Sequence, residues 1–92
     1  MDIRSSLIQF HAMKKSLFTT EQRRLQRLLR QIRLGAGLRQ ADLSELLRRP
    51  QSFVSKYESG ERRLDLLELR QICKAVGISL ADFVRRFEES PP

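Results

Sequence analysis

Residues 48–63 read RRPQSFVSKYESGERR, and this stretch decides the fold that the sequence predicts. Pro50 suits the first turn of a helix, where its missing N–H leaves no hydrogen bond unmade, and Gly60 suits the position that ends one. Val54 and Tyr57 lie three positions apart and would face a core. Four other positions, which we call the polar flank, point away from it: Gln51, Ser52, Ser55 and Lys56. The stretch therefore predicts a short helix with one buried side and one hydrogen-bonding side.

A first helix is predicted well before this stretch, from about Glu21 to Leu34. Four apolar residues recur there at the i, i+3, i+4 and i+7 spacing of a helix face. They are Leu25, Leu28, Leu29 and Ile32. Thr19 and Gln22 fit a capping box at its start, and two glycines break it at its end. Its remaining surface is covered by arginines for which a solvated face and phosphate contact are both open: Arg23, Arg24, Arg27 and Arg30.

A second helix is predicted from about Gln40 to Leu47, with Leu43, Leu46 and Leu47 inward. Small Ser44 lies where this helix would cross the next one closely. Two short helices joined by three or four residues resemble a helix-turn-helix unit, in which the second helix enters the DNA major groove and the first braces it.

Two more helices are predicted after Gly60. Asp65 and Glu68 have the spacing of a cap and its third residue, and Ser79 and Asp82 repeat the device. The fourth helix is expected to bury Leu66, Leu69, Ile72, Cys73 and Val76. The fifth carries an apolar stripe that we expect to face a partner in part: Leu80, Phe83, Val84 and Phe87. With no sustained β-type alternation, the fold class is all-α, a compact five-helix bundle.

Composition bounds the function. Ninety-two residues suit one small domain, and a net charge of +7 indicates a polyanionic partner. No run is long enough to span a membrane and no secretory signal is present, so we expect a cytoplasmic protein without a membrane partner. Cys73, the single cysteine, is expected to pack in the core. Neither a metal, a cofactor nor an enzymatic activity is expected, because no ligand cluster, phosphate loop or paired nucleophile is present.

The polar flank has the chemistry of DNA readout. Glutamine donates to and accepts from adenine, lysine donates to guanine, and serine serves either role. Phe53 is expected to pack under the loop rather than contact a thymine methyl group. Arg62 and Arg63, just past the helix, are either phosphate contacts or a solvated loop pair.

The segment LRQADLSELLRRPQSFVSKYESGERRLDLLELRQICKAVG, residues 38–77, resembles the phage-repressor/Cro type of helix-turn-helix, often called the xenobiotic-response-element (XRE) class. The resemblance covers about residues 21–88. It implies a five-helix domain that binds operator DNA, usually as a homodimer. We expect a transcriptional repressor that binds a palindromic operator. Residues 1–20 are then an N-terminal extension, and residues 89–92 a C-terminal tail.

The resemblance also implies residue roles. The polar flank supplies the base contacts, and Gln40 is a phosphate contact. Arg39, Arg62 and Arg63 are further candidate phosphate contacts because of their positions in the chain. Arg33 and Glu58 match an ion pair that ties the first helix to the third. Two positions depart from the family pattern. Arg48 replaces the usual turn glycine, which predicts strain of roughly 1 kcal/mol or a reshaped turn. Arg39 replaces the usual Ser or Thr cap, which removes a side-chain acceptor and favours a role in DNA contact.

Energetics favour two copies of the chain. A bidentate base contact supplies roughly 1–3 kcal/mol of discrimination, whereas specific sites need about 4–10 kcal/mol over non-specific DNA. We therefore expect a two-fold dimer with half-sites about 34 Å apart, formed through the stripe of the fifth helix. The alternative is an antitoxin, whose partner is a toxin protein, or another protein-interaction module of the same fold.

The first twenty residues carry apolar side chains without a clear period. An arm that is mobile and an arm that docks on the dimer partner are both open. A third alternative is a basic arm that reaches into the minor groove through Arg4, Lys14 or Lys15. His11 has no assigned role.

Overall fold

The structure is a computed structural model that describes residues 20–91. Within this range the chain forms five helices and no strand. They are α1 (Gln22–Gly35), α2 (Gln40–Leu47), α3 (Gln51–Ser59), α4 (Leu66–Val76) and α5 (Leu80–Glu89). The prediction of an all-α, five-helix fold is confirmed, and the helix bounds agree with the sequence pattern to within about a turn.

Side-chain caps fix the starts of the last two helices. Asp65 accepts a hydrogen bond from the Glu68 N–H at 2.7 Å, and the Glu68 carboxylate accepts one from the Asp65 N–H at 3.0 Å. At α5 the Ser79 hydroxyl accepts from the Asp82 N–H at 3.0 Å. Both predicted caps are therefore present. The predicted cap of α1 rests on Thr19, which lies outside the described residues.

The core lies where α2 contacts α3 and α4, and where α1 contacts α3 and α5. Its buried side chains come from all five helices: Leu28, Leu29, Ile32, Leu43, Phe53, Val54, Tyr57, Ile72, Cys73 and Phe83. The predicted packing role of Cys73 is confirmed, and burial raises the pKa of its thiol, which keeps it protonated and unreactive.

Two leucines predicted to face inward do not. Leu46 is 59% exposed and Leu66 is 65% exposed. On α2 the buried positions are Leu43 and Ser44, and none of the described helices covers the side that carries Leu46. Leu66 is the first residue of α4, at an end that the other described helices leave uncovered. Within the described range, no helix has the length and apolar character that a membrane span requires.

Candidate nucleic-acid interface

The polar flank of α3 lies at the surface. Gln51, Ser52 and Lys56 are exposed and Ser55 is partly buried. The opposite side of the same helix is anchored, since Val54 and Tyr57 are almost completely buried. A helix held on one side and polar on the other has the form that presentation to a DNA groove requires.

A pair of arginines packs on Phe53 at the start of α3. The Phe53 ring is 7% exposed and meets Tyr57 edge-on, with 5.4 Å between the ring centroids. The guanidinium groups of Arg49 and Arg62 lie 4.6 and 4.7 Å from its centroid, within the range of a cation–π contact. The prediction that Phe53 packs under the loop is confirmed. The role of Arg49 was not predicted, because its partner is recognisable only once the loop is placed.

The predicted ion pair joins α1 to α3. Arg33 Nε donates to Glu58 Oε2 at 2.7 Å, and Arg33 Nη2 donates to Glu58 Oε1 at 2.9 Å. The two side chains are only 7% and 5% exposed. The hydrogen bond to Glu58 raises the pKa of Arg33, so the guanidinium stays charged. This bidentate geometry fixes both the distance and the orientation between the two helices.

Two further hydrogen bonds extend this pair to α2. Arg33 Nη1 donates to the carbonyl oxygen of Leu38 at 2.9 Å, in the turn before α2. Gln40 Nε2, at the first residue of α2, donates to Glu58 Oε1 at 3.2 Å. Glu58 therefore links α1, α2 and α3, the helices that fix the position and orientation of the polar flank. The side chain of Gln40, predicted to contact phosphate, has this second, internal partner.

The start of α2 is capped in an unusual way. As expected, Arg39 makes no side-chain cap bond, and instead the Asp42 carboxylate accepts from the Arg39 N–H at 2.8 Å. The same carboxylate accepts from Arg39 Nε at 3.0 Å and from Arg39 Nη2 at 2.9 Å. These bonds lower the pKa of Asp42 to about 2. The Arg39 side chain is nevertheless 82% exposed.

The turn between α2 and α3 contains the predicted strain. Arg48 has φ +55° and ψ +44°, the left-handed conformation that glycine adopts without steric conflict. Two backbone bonds close the turn, from Arg48 N–H to Glu45 at 3.0 Å and from Arg49 N–H to Ser44 at 2.9 Å. The chain thus accepts the strained residue and keeps a tight turn.

The loop after α3 carries an ionic cluster. Arg62 donates to both carboxylate oxygens of Glu68, at 3.0 and 2.7 Å, and Arg49 lies 3.5 Å from the same carboxylate. The hydrogen bond from Arg62 lowers the pKa of Glu68 to about 2. Arg62 also donates to the carbonyl oxygen of Arg63 at 2.9 Å, and Arg63 itself is exposed. The sequence pattern offered Arg62 as a phosphate contact or a solvated residue, and neither reading included this internal role.

The stripe of α5 is mostly used within the protomer. Phe83 is 2% exposed, Leu80 and Phe87 are partly buried, and only Val84, at 45%, is well exposed. Of the four residues predicted to meet a dimer partner, Phe83 is therefore a core residue of the protomer. Its contribution to an interface would be indirect.

One arginine of α1 fits neither reading proposed for its helix face. The Arg24 guanidinium lies 4.9 Å from the centroid of the Phe87 ring. It also donates to the carbonyl oxygens of Phe87 at 2.8 Å and Ser90 at 3.0 Å, at the carboxyl end of α5. A positive charge satisfying the last carbonyl groups of a helix stabilises that end. Arg24 thus joins α1 to α5.

Taken with the exposed flank, the α2–turn–α3 unit defines a DNA-binding helix-turn-helix domain. The helix-turn-helix family model matches residues 29–83, more than half of the chain. The chain is also similar to a solved structure, the XRE-family like protein from Pseudomonas syringae pv. tomato str. DC3000. The two are 36% identical, with 87% of this chain and 98% of that chain covered and a TM-score of 0.76. No match was found among curated proteins.

The chain therefore belongs to the Cro/C1-type helix-turn-helix family, the XRE family, and is a DNA-binding helix-turn-helix regulator. The resemblance drawn from the sequence is confirmed.

Proposed function

We propose that this chain is a transcriptional repressor that binds a palindromic operator as a homodimer, with α3 in the major groove of each half-site. The observation that carries the proposal is the exposure of the polar flank on a helix whose opposite side is fixed in the core. Exposed hydrogen-bonding groups on a rigid helix are what direct readout of base edges requires.

Base readout belongs to the polar flank. Gln51 has the amide needed for a bidentate contact with adenine, and Lys56 has the donor needed for guanine. Ser52 and Ser55 are short enough to let the helix approach the base edges and accept or donate as needed.

Phosphate contacts belong to Arg39, Gln40, Arg62 and Arg63. The ion pair of Arg39 with Asp42 is exposed, and such pairs hold a side chain weakly, so the guanidinium is available to a phosphate. Gln40 and Arg62 already hold Glu58 and Glu68. Their contribution therefore requires that they share donors between the protein and the DNA backbone.

A homodimer supplies the discrimination that one short flank lacks. One copy makes few bidentate contacts, and each supplies roughly 1–3 kcal/mol of discrimination. Their sum lies in the lower part of the range of about 4–10 kcal/mol that specific sites require. A two-fold pair doubles the contacts and reads half-sites about 34 Å apart. The proposed contact uses the exposed side of α5 around Val84, together with the partly buried Leu80 and Phe87.

The proposal is tested by selecting bound fragments from a random pool of duplex DNA with the full chain. We expect enrichment of two inverted half-sites centred about one helical turn apart. Sedimentation of the complex should then give two chains per duplex. Enrichment of a single half-site, bound by one chain per duplex, would contradict the proposed dimer.

If the selection enriched no sequence at all, the whole proposal would be contradicted. If a second protein co-purified with the chain in that case, the antitoxin alternative would replace it.

A further inference from the structure

An apolar groove runs between the start of α1, α4 and α5. Its volume is about 290 Å³. Its lining is nearly all apolar, with two polar residues at the α1 end: Glu21, Gln22, Leu25, Leu69, Phe83, Val84 and Phe87. The groove contains Val84, a large apolar residue of α5 that is 45% exposed.

The groove suits an apolar side chain better than water. Its volume is many times the roughly 15 Å³ that one water needs, but a bound water also needs two or more polar partners. The residues from α4 and α5 that line the groove, such as Leu69 and Phe87, have no polar side-chain atoms. Water in contact with these walls therefore forms few hydrogen bonds with the protein, and covering the walls with apolar atoms is favourable.

The chain itself supplies such atoms at the rim of the groove. The described residues begin at Thr20, directly beside Glu21, which lines the groove. The residues immediately before this point include Leu17 and Phe18. At about 3.6 Å per residue, Phe18 lies within roughly 11 Å of Glu21 whatever path the chain takes. Leu17, one residue further, lies within roughly 14 Å of Glu21, so both side chains are close enough to reach the groove.

We propose that Leu17 and Phe18 fold back onto their own chain and fill this groove. Covalent attachment a few residues away gives these side chains a high effective concentration at the groove, which a second molecule at ordinary concentrations does not match. The docked side chains cover Val84 and add Leu17 and Phe18 to the hydrophobic core. With Val84 covered in this way, a dimer formed through α5 would meet the docked segment and Leu80 rather than Val84. The assignment therefore revises the dimer contact proposed above but not the dimer itself.

A cysteine placed in the groove tests the proposal in the full chain. The rate at which a small thiol reagent labels Val84→Cys is measured with and without the second change Phe18→Ser. Because the loss of a buried phenylalanine should open the groove, we expect labelling at position 84 to accelerate about tenfold or more. Peptide mass spectrometry separates this site from Cys73, which is fully buried. A Leu17→Ser variant provides an independent repeat.

Leu67→Cys serves as the matched control, because Leu67 is 67% exposed and does not line the groove. Its labelling rate should be unchanged by Phe18→Ser. Equal rates at position 84 with and without Phe18 would overturn the proposal. Protection that disappears when the protein is diluted would also overturn it, since the occupant would then be a second copy.

Discussion

The most informative perturbation of the fold is the removal of Glu58 from its pair with Arg33. A Glu58→Leu variant leaves the Arg33 guanidinium in a site where its side chain is 7% exposed. It removes two charge-assisted hydrogen bonds of 2.7 and 2.9 Å, and with them the 3.2 Å contact from Gln40. One substitution thus removes the Glu58 hydrogen bonds that link α3 to both α1 and α2.

The expected loss is large for a domain of this size. Breaking a buried pair by removing one partner destabilises by about 3–5 kcal/mol, because an uncompensated charge stays buried. A small protein has about 5–15 kcal/mol in total. Each kcal/mol corresponds to roughly 4–8 °C in Tm for a domain of 60–100 residues, so Tm should fall by about 12 °C or more.

Urea unfolding of Arg33→Met, Glu58→Leu and the double variant measures the pair directly. Replacing a buried pair with apolar residues of similar size is often neutral, so the double variant should recover most of the loss. The matched control is Arg39→Met, which breaks the exposed ion pair with Asp42 but keeps the Asp42 cap of α2, and it should shift the unfolding midpoint far less. A loss below about 1 kcal/mol for Glu58→Leu would refute the reasoning, since that is the scale of a surface pair.

Three further predictions concern the site and its surroundings. Lys56→Ala should reduce the ratio of specific to non-specific DNA affinity, measured by fluorescence anisotropy, by roughly 5- to 150-fold, which corresponds to about 1–3 kcal/mol. The control Lys74→Ala removes the same charge from another exposed lysine and should leave this ratio unchanged. Arg48→Gly should raise the free energy of unfolding by about 1 kcal/mol by relieving the left-handed strain, and an unchanged or lower value would contradict that account. Stability should fall as the pH drops from about 4.5 to about 2, because the pKa of Glu68 is lower in the folded chain than the usual 4.5, and Glu68→Gln should flatten this pH dependence of the urea midpoint.

The sequence predicted the elements whose signals are local. Asp65 and Ser79 lie next to the N–H groups that they cap, and the side of α3 that carries Val54 follows from spacing alone. These features depend on contacts within a turn or two of helix. For that reason the helix bounds and the polar flank could be predicted before any tertiary contact was known.

Features that depend on distant partners were missed. Arg24 resembles the other arginines of α1 in sequence, but its partners at Phe87 and Ser90 lie more than sixty residues away. The exposure of Leu46 has the same origin, since periodicity marks an apolar face but does not say which neighbour covers it. Arg33 and Glu58 were identified through the family resemblance, and spacing alone would not have paired them.

The central claim, that the polar flank of α3 meets the bases, is tested most directly by amide NMR spectra of the full chain titrated with its selected DNA. The account predicts that the largest changes in chemical shift fall on the polar flank, with smaller changes at Arg39, Gln40 and Arg63. It also predicts that Lys56→Ala reduces the difference between the selected duplex and a scrambled one at the flank. Changes concentrated on α5, with the flank of α3 unaffected by saturating DNA, would contradict it.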